Sequence, residues 1–223
     1  MTTETVITVQ GEYTARYAAE RAVVTLSIGF EGPDRGPVFD RTTEVADHVR
    51  ENIIELHDPR TGPVTWWASD SVRVWTSKPW NNEGKELPLV YHSTIEFRVR
   101  FNDFPMLARW VEEIAFLDGA TVGGIEWDLT DPRRTAVTAE VRSRAVKDAV
   151  SKATVFAQSI GLGTVRAIAL ADPGMLGDQG TAAPGSREEL NAMVVGRSSG
   201  GELALKPAEI EVSASIDARF LAS

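Results

Sequence analysis

The stretch from Asp131 to Gly161 constrains this chain more than any other, because it reads as one long helix whose apolar stripe is alanine through its middle. Asp131-Pro132 opens it, and Val137, Val141, Ala145, Ala149, Ala153, Phe156 and Ile160 line one face. Roughly thirty residues of helix span about 45 Å. Small side chains along such a stripe allow close approach to a flat partner, and a β-sheet is the flat partner a protein has to offer. Glu140, Arg144, Asp148 and Lys152 follow one another at i,i+4 with alternating sign, each pair adding a few tenths of a kcal/mol.

The strands are legible as alternation. Ile7 and Val9 mark one short run, and Ala22, Val24, Leu26, Ile28 and Phe30 mark a second. With Gly11 and the polar residues up to Arg21 as a turn or bulge joining the two runs, the opening reads as a hairpin. Val64–Thr76 and Val90–Phe101 form the clearest pair, since Ile95, Phe97, Val99 and Phe101 alternate with Glu96, Arg98 and Arg100. Ala120–Leu129 and Val165–Ala171 add two more. The chain closes with Ile210, Val212, Ala214, Ile216, Ala218 and Phe220 in strict alternation.

Two shorter helices complete the pattern. From Pro37 to Leu56, Val38, Val45, Val49, Ile53 and Leu56 share a stripe. A second starts after Asp103, a natural cap, with Pro105 in its first turn and Gly119 as its stop. The order ββ-α-ββ-α-β-α-β-β predicts an α+β fold, a mainly antiparallel sheet with helices packed on one face. Within it, Ala22 to Leu129 has the β-α-β-β-α-β order of a ferredoxin-like core. No break in composition divides residues 1–223, so one domain is expected, with mobile loops at 77–89 and 172–207. The second of these carries one helical turn near Glu188–Ala192.

Composition bounds the function. Acidic residues outnumber basic ones 32 to 23, for a net charge of −9, which disfavours non-specific nucleic-acid and anionic-membrane binding. Cysteine is absent, which removes disulfides, thiol nucleophiles and thiolate metal sites. Met1 leads straight into alternation without a basic or apolar leader pattern, and no apolar run reaches the roughly 20 residues of a membrane helix. A cytoplasmic protein is the expectation.

Catalytic motifs fail one by one. Gly196-Arg197-Ser198-Ser199-Gly200 fits the G-x-S-x-G pattern, but no strand precedes it and no helix follows, and all three histidines lie before Ser198. Gly161-Leu162-Gly163 follows a helix and precedes a strand, the reverse of a dinucleotide-binding turn, so it reads as helix termination. His48, His57 and His92 have no metal-ligand spacing. The sequence therefore predicts no enzyme, no cofactor and no metal. Aromatic residues are the better lead. Trp66-Trp67 puts one indole on each face of a strand, Trp80 falls in the 77–89 loop, and Arg98 and Arg100 add charge to the outer sheet face. These five are the candidate partner-binding residues, although a solvated face is the simpler account of the arginines.

The pattern as a whole resembles the SIMPL-domain family. The resemblance rests on Ile7-Thr8-Val9-Gln10-Gly11-Glu12, on Ala22 through Ile28, and on Val122-Gly123-Gly124-Ile125-Glu126-Trp127-Asp128-Leu129. It continues through Arg142–Ala149, Lys152-Ala153, Ala157, Gly161-Leu162-Gly163 and Val165, and in the final strand. It implies an α+β domain that builds ring-like or cage-like homo-oligomers, in a family whose bacterial members are often secreted and associated with oxidative-stress defence. It brings no catalytic residues. The expected function is a non-enzymatic, self-assembling domain whose partner is itself. The alternative is a monomeric or dimeric binding module that takes a peptide or small ligand through the Trp80 loop and the outer sheet face.

Overall fold

The computed structural model describes residues 4–80, 87–176 and 205–223. They form β1 (Thr5–Ala18), β2 (Arg21–Gly32), α1 (Arg35–Leu56), β3 (Val64–Ser69), β4 (Arg73–Ser77), β5 (Val90–Phe101), α2 (Phe104–Ala115), β6 (Ala120–Asp128), α3 (Asp131–Ser159), β7 (Val165–Ala171) and β8 (Glu209–Ala222). The fold is α+β, and every strand pair in its two sheets is antiparallel. The elements gather into two compact units. Most of the expected 172–207 loop, including Ser198 and the Glu188–Ala192 turn, lies outside the described residues, as does the middle of the 77–89 loop.

One unit joins β1, α3, β7 and β8, with its sheet in the order β1-β8-β7. The expected opening hairpin is not formed: β1 pairs with β8 along its whole length, and β2 belongs to the other sheet. Periodicity gives a strand its faces and says nothing about its neighbour. Gly11 is no turn either. A Cβ there would stand 2.1 Å from the Ala145 carbonyl oxygen and 2.7 Å from the Ala149 Cβ, so the glycine is what lets α3 lie on the strand. Ile7, Val9, Ile216, Ala218 and Phe220 form the sheet side of this core, against Ala145, Ala149, Ala153 and Ala157. Phe156 and Ile160, expected on that stripe, are exposed, and Ala157 takes the position instead.

The helix then ends as its glycine predicts. Gly161 is left-handed, at φ +81°. Its N–H donates to the Gln158 carbonyl, and the Leu162 N–H donates to the Ala157 carbonyl. That is a Schellman stop, with Leu162 folded back onto the core. Farther up α3, Asp148 accepts from the Glu12 N–H at 2.9 Å, and the Lys152 ammonium donates to the Gln10 carbonyl at 3.0 Å. Both backbone groups belong to β1, so the helix side chains satisfy part of that strand's outer edge.

The other unit joins β2 to β6 with α1 and α2, its strands in the order β3-β5-β2-β6. This is the ferredoxin-like arrangement, with β4 added as a second short partner of β5. The segment expected as one strand, Val64–Thr76, is two strands interrupted at Asp70–Val72, and both pair with the long β5. Val24, Leu26, Ile28, Ile95, Phe97, Val99 and Phe101 make the helix-facing side. In α1 the buried stripe is Val38, Thr42, Ala46, Val49 and Ile53, not the Val45 and Leu56 expected. The Thr42 hydroxyl donates to the Val38 carbonyl, which removes the cost of burying it. Asp103 caps α2 as expected, accepting from the Met106 N–H at 2.9 Å.

Candidate functional site

The outer face of the five-stranded sheet gathers most of the side chains that sequence singled out. Alternation on β5 sends His92, Thr94, Glu96, Arg98 and Arg100 to the side opposite the buried Ser93, Ile95, Phe97, Val99 and Phe101. A bulge in β3 decides which tryptophan joins them. Val64 pairs with Phe101, but after the extra residue Thr65, Trp66 pairs with Arg100 and Trp67 with Val99. A one-residue shift exchanges the faces, so Trp66 is on the outer face and Trp67 on the helix face.

The Arg100 guanidinium sits 5.0 Å from the centre of the Trp66 ring. Its Nε is enclosed without a hydrogen-bond partner among the described residues. Arg98 is exposed, between Thr25 of β2 and Ala68 of β3. Trp80 is 84% exposed, three residues past the end of β4. The structure thus unites Trp66, Arg98 and Arg100 and leaves Trp67 on the other side of the sheet.

At the other end of the same face lies a row that sequence reasoning missed. Trp75 of β4 pairs with His92 of β5, and His92 pairs with Glu31 of β2. The indole and imidazole stack at 5.2 Å with only 10° between their planes. The Ser77 hydroxyl, two residues along β4, lies 2.6 Å from His92 Nε2. The opposite nitrogen, Nδ1, lies 3.3 Å from Glu31 Oε2. Beside the row, an open depression of about 550 Å³ is lined by Arg73, Val74 and Trp75. Alternation alone places His92 on the outer face, but its neighbours come from strands 15 and 61 residues away, which no local pattern announces.

The remaining histidines stand apart, His48 on α1 beside Asn52 and His57 just past the helix end. No group of three or more His, Cys, Asp or Glu among the described residues is arranged to hold a metal ion. No helix among them is long and apolar enough to cross a membrane.

Residues 7–220 match the family SIMPL, described as a protein of unknown function (DUF541). The chain belongs to the SIMPL family. No curated protein matches it. The SIMPL match takes in both units, from β1 through β8. It agrees with the residues that carried the resemblance, several of which now have structural tasks: Gly11 admits α3, and Gly161 ends it. Those tasks concern the fold, so membership brings no site with it.

Proposed function

We propose that this SIMPL domain acts as a scaffold by assembling with copies of itself. The observation that carries this reading is the edge of β7. Its sheet ends there, and among the described residues no strand pairs with that side. The strand runs Val165-Arg166-Ala167-Ile168-Ala169-Leu170-Ala171, with one charged residue and no proline. Ile168 is 44% exposed and Leu170 53%. Edge strands are ordinarily protected by charge, proline or a covering element, and the contrast with β1, whose edge α3 partly satisfies, is plain. An antiparallel pairing of two β7 strands with Ala169 opposite itself would set Arg166 against Asp172 of the partner subunit. That register is self-complementary, as a two-fold contact requires.

The test is the absolute mass of the native protein by light scattering after size exclusion, across a concentration series. Discrete multiples of 24.3 kDa are expected for the wild type. Ile168→Lys, which puts a charge into the edge, should shift the mass to that of one chain while far-UV ellipticity is retained. A wild type that stays monomeric throughout overturns assembly. An Ile168→Lys variant that assembles like the wild type overturns the β7 seat.

A second reading, a ligand-binding module, is favoured by the depression lined by Arg73, Val74 and Trp75 next to the outer face. Tryptophan fluorescence and thermal stability that respond to no class of peptide or small ligand would remove its support.

A further inference from the structure

The Ser77–His92–Glu31 row is held in a way that a simple surface stitch does not need. A carboxylate only accepts hydrogen bonds, so Glu31 at 3.3 Å from Nδ1 favours the tautomer that carries its proton there. That tautomer leaves Nε2 as an acceptor, 2.6 Å from the Ser77 hydroxyl, which then donates to it. The two ring nitrogens thus face different groups: Nδ1 a carboxylate oxygen 3.3 Å away, Nε2 a hydroxyl 2.6 Å away. The stacked Trp75 indole, 10° from coplanar, restricts rotation of the imidazole. The three side chains come from β4, β5 and β2, adjacent strands of one sheet, so their spacing is set by backbone register. Ser77 is exposed, and Trp75, stacked on the imidazole, also lines the depression of about 550 Å³ together with Val74 and Arg73.

We propose that Ser77 is a nucleophile, with His92 as its general base and Glu31 as the residue that positions the imidazole, acting on aryl esters of short carboxylic acids. This goes beyond the assembly reading and does not rest on it. In the first step Ser77 Oγ attacks the carbonyl carbon while Nε2 takes the hydroxyl proton. The bond from carbonyl carbon to aryl oxygen breaks, and the phenol leaves with the proton from Nε2. In the second step a water attacks the acyl-serine while Nε2 takes its proton, which returns to Oγ as the carboxylic acid departs. The sum is ester plus water to acid plus phenol. The Trp75 face and the aliphatic wall suit the aryl ring, and Arg73 suits a substrate with a negative substituent. His92 and Glu31 supply base assistance, so the gain is on the order of 10²–10⁴.

The experiment treats the full native chain with an alkyl fluorophosphonate and, separately, with p-nitrophenyl acetate. One covalent adduct on Ser77, located by peptide mass mapping, is expected in the wild type, none in Ser77→Ala and none in urea-unfolded wild type. His92→Gln should slow labelling and p-nitrophenol release by about 10²-fold or more. Glu31→Gln should lower the maximal labelling rate and leave the half-saturating probe concentration unchanged. Far-UV ellipticity and the urea midpoint of each variant establish that it is folded. An unlabelled wild type, an adduct on a different serine, or equal rates in folded wild type and His92→Gln would each overturn the proposal.

Discussion

Replacing Gly11 with alanine should weaken the β1–α3 unit out of all proportion to the one carbon added. The new Cβ would meet the Ala145 carbonyl oxygen at 2.1 Å and the Ala149 nitrogen at 2.8 Å. Both are backbone atoms of a long helix, so no side chain can swing aside. The helix must lift by about 1 Å to restore ordinary contact. Such overpacking costs roughly 1–3 kcal/mol by itself. The same displacement stretches the bonds from Asp148 to the Glu12 N–H and from Lys152 to the Gln10 carbonyl, at present 2.9 and 3.0 Å. A total near 3 kcal/mol follows, since each charge-assisted hydrogen bond contributes about 1 kcal/mol or more. With a urea slope of about 2 kcal/mol/M, the midpoint read by far-UV ellipticity should fall by about 1.5 M. Gly36→Ala serves as the comparison: nothing lies within 4 Å of a Cβ there, and it sits in α1. It should be neutral or stabilise by about 0.5–1 kcal/mol. A Gly11→Ala midpoint within about 0.3 M of wild type would refute the claim that glycine is needed for the helix to seat.

Three further outcomes are expected. Gly119→Ala combines a left-handed backbone, φ +76°, with a Cβ only 2.4 Å from the Phe30 ring, so urea unfolding should show a loss of about 2 kcal/mol or more. Asp103→Ala removes the acceptor of the Met106 N–H and should cost about 1 kcal/mol in the same assay. The hydrogen bond from Lys152, with that from the Glu12 N–H, holds the Asp148 carboxyl below the usual carboxylate range, although burial opposes the shift. A folded-state pKa below the unfolded one stabilises above the ordinary carboxylate range, and that contribution is lost as pH falls through the folded value. The thermal midpoint of Asp148→Asn should therefore trail the wild type at pH 7, and the gap should begin to close only as pH falls below about 4, closing fully once pH is below the lowered folded value. A gap that persists unchanged in acid would count against the ionised carboxylate as its source.

The sequence by itself determined the elements and much of their chemistry. Alternation on β5 and β8 and the alanine stripe on α3 required a sheet with helices laid on it, and Asp103 and Gly161 marked ends that the backbone hydrogen bonds honour. Those signals are local: a side chain's face follows from its own strand or helix, and a cap satisfies amides a few residues away. Phe156 and Ile160 are exposed because the buried stripe keeps a four-residue step all the way from Val137 to Ala157, whereas the stripe expected from the sequence takes a three-residue step at Phe156.

Tertiary structure alone decided pairing. Nothing in β1 says that its partner is β8, 14 paired positions contributed from the far end of the chain, and nothing in Gly11 distinguishes a turn from a close approach until α3 is laid over it. Trp66 faces outward rather than Trp67 because one bulged residue shifts the register of β3, an event of a single backbone position with no composition of its own. The Ser77–His92–Glu31 row exists only because β4, β5 and β2 are neighbours. Strand order is settled by the global competition to bury helix-facing side chains, and a constellation that spans three strands cannot be specified before that competition is decided.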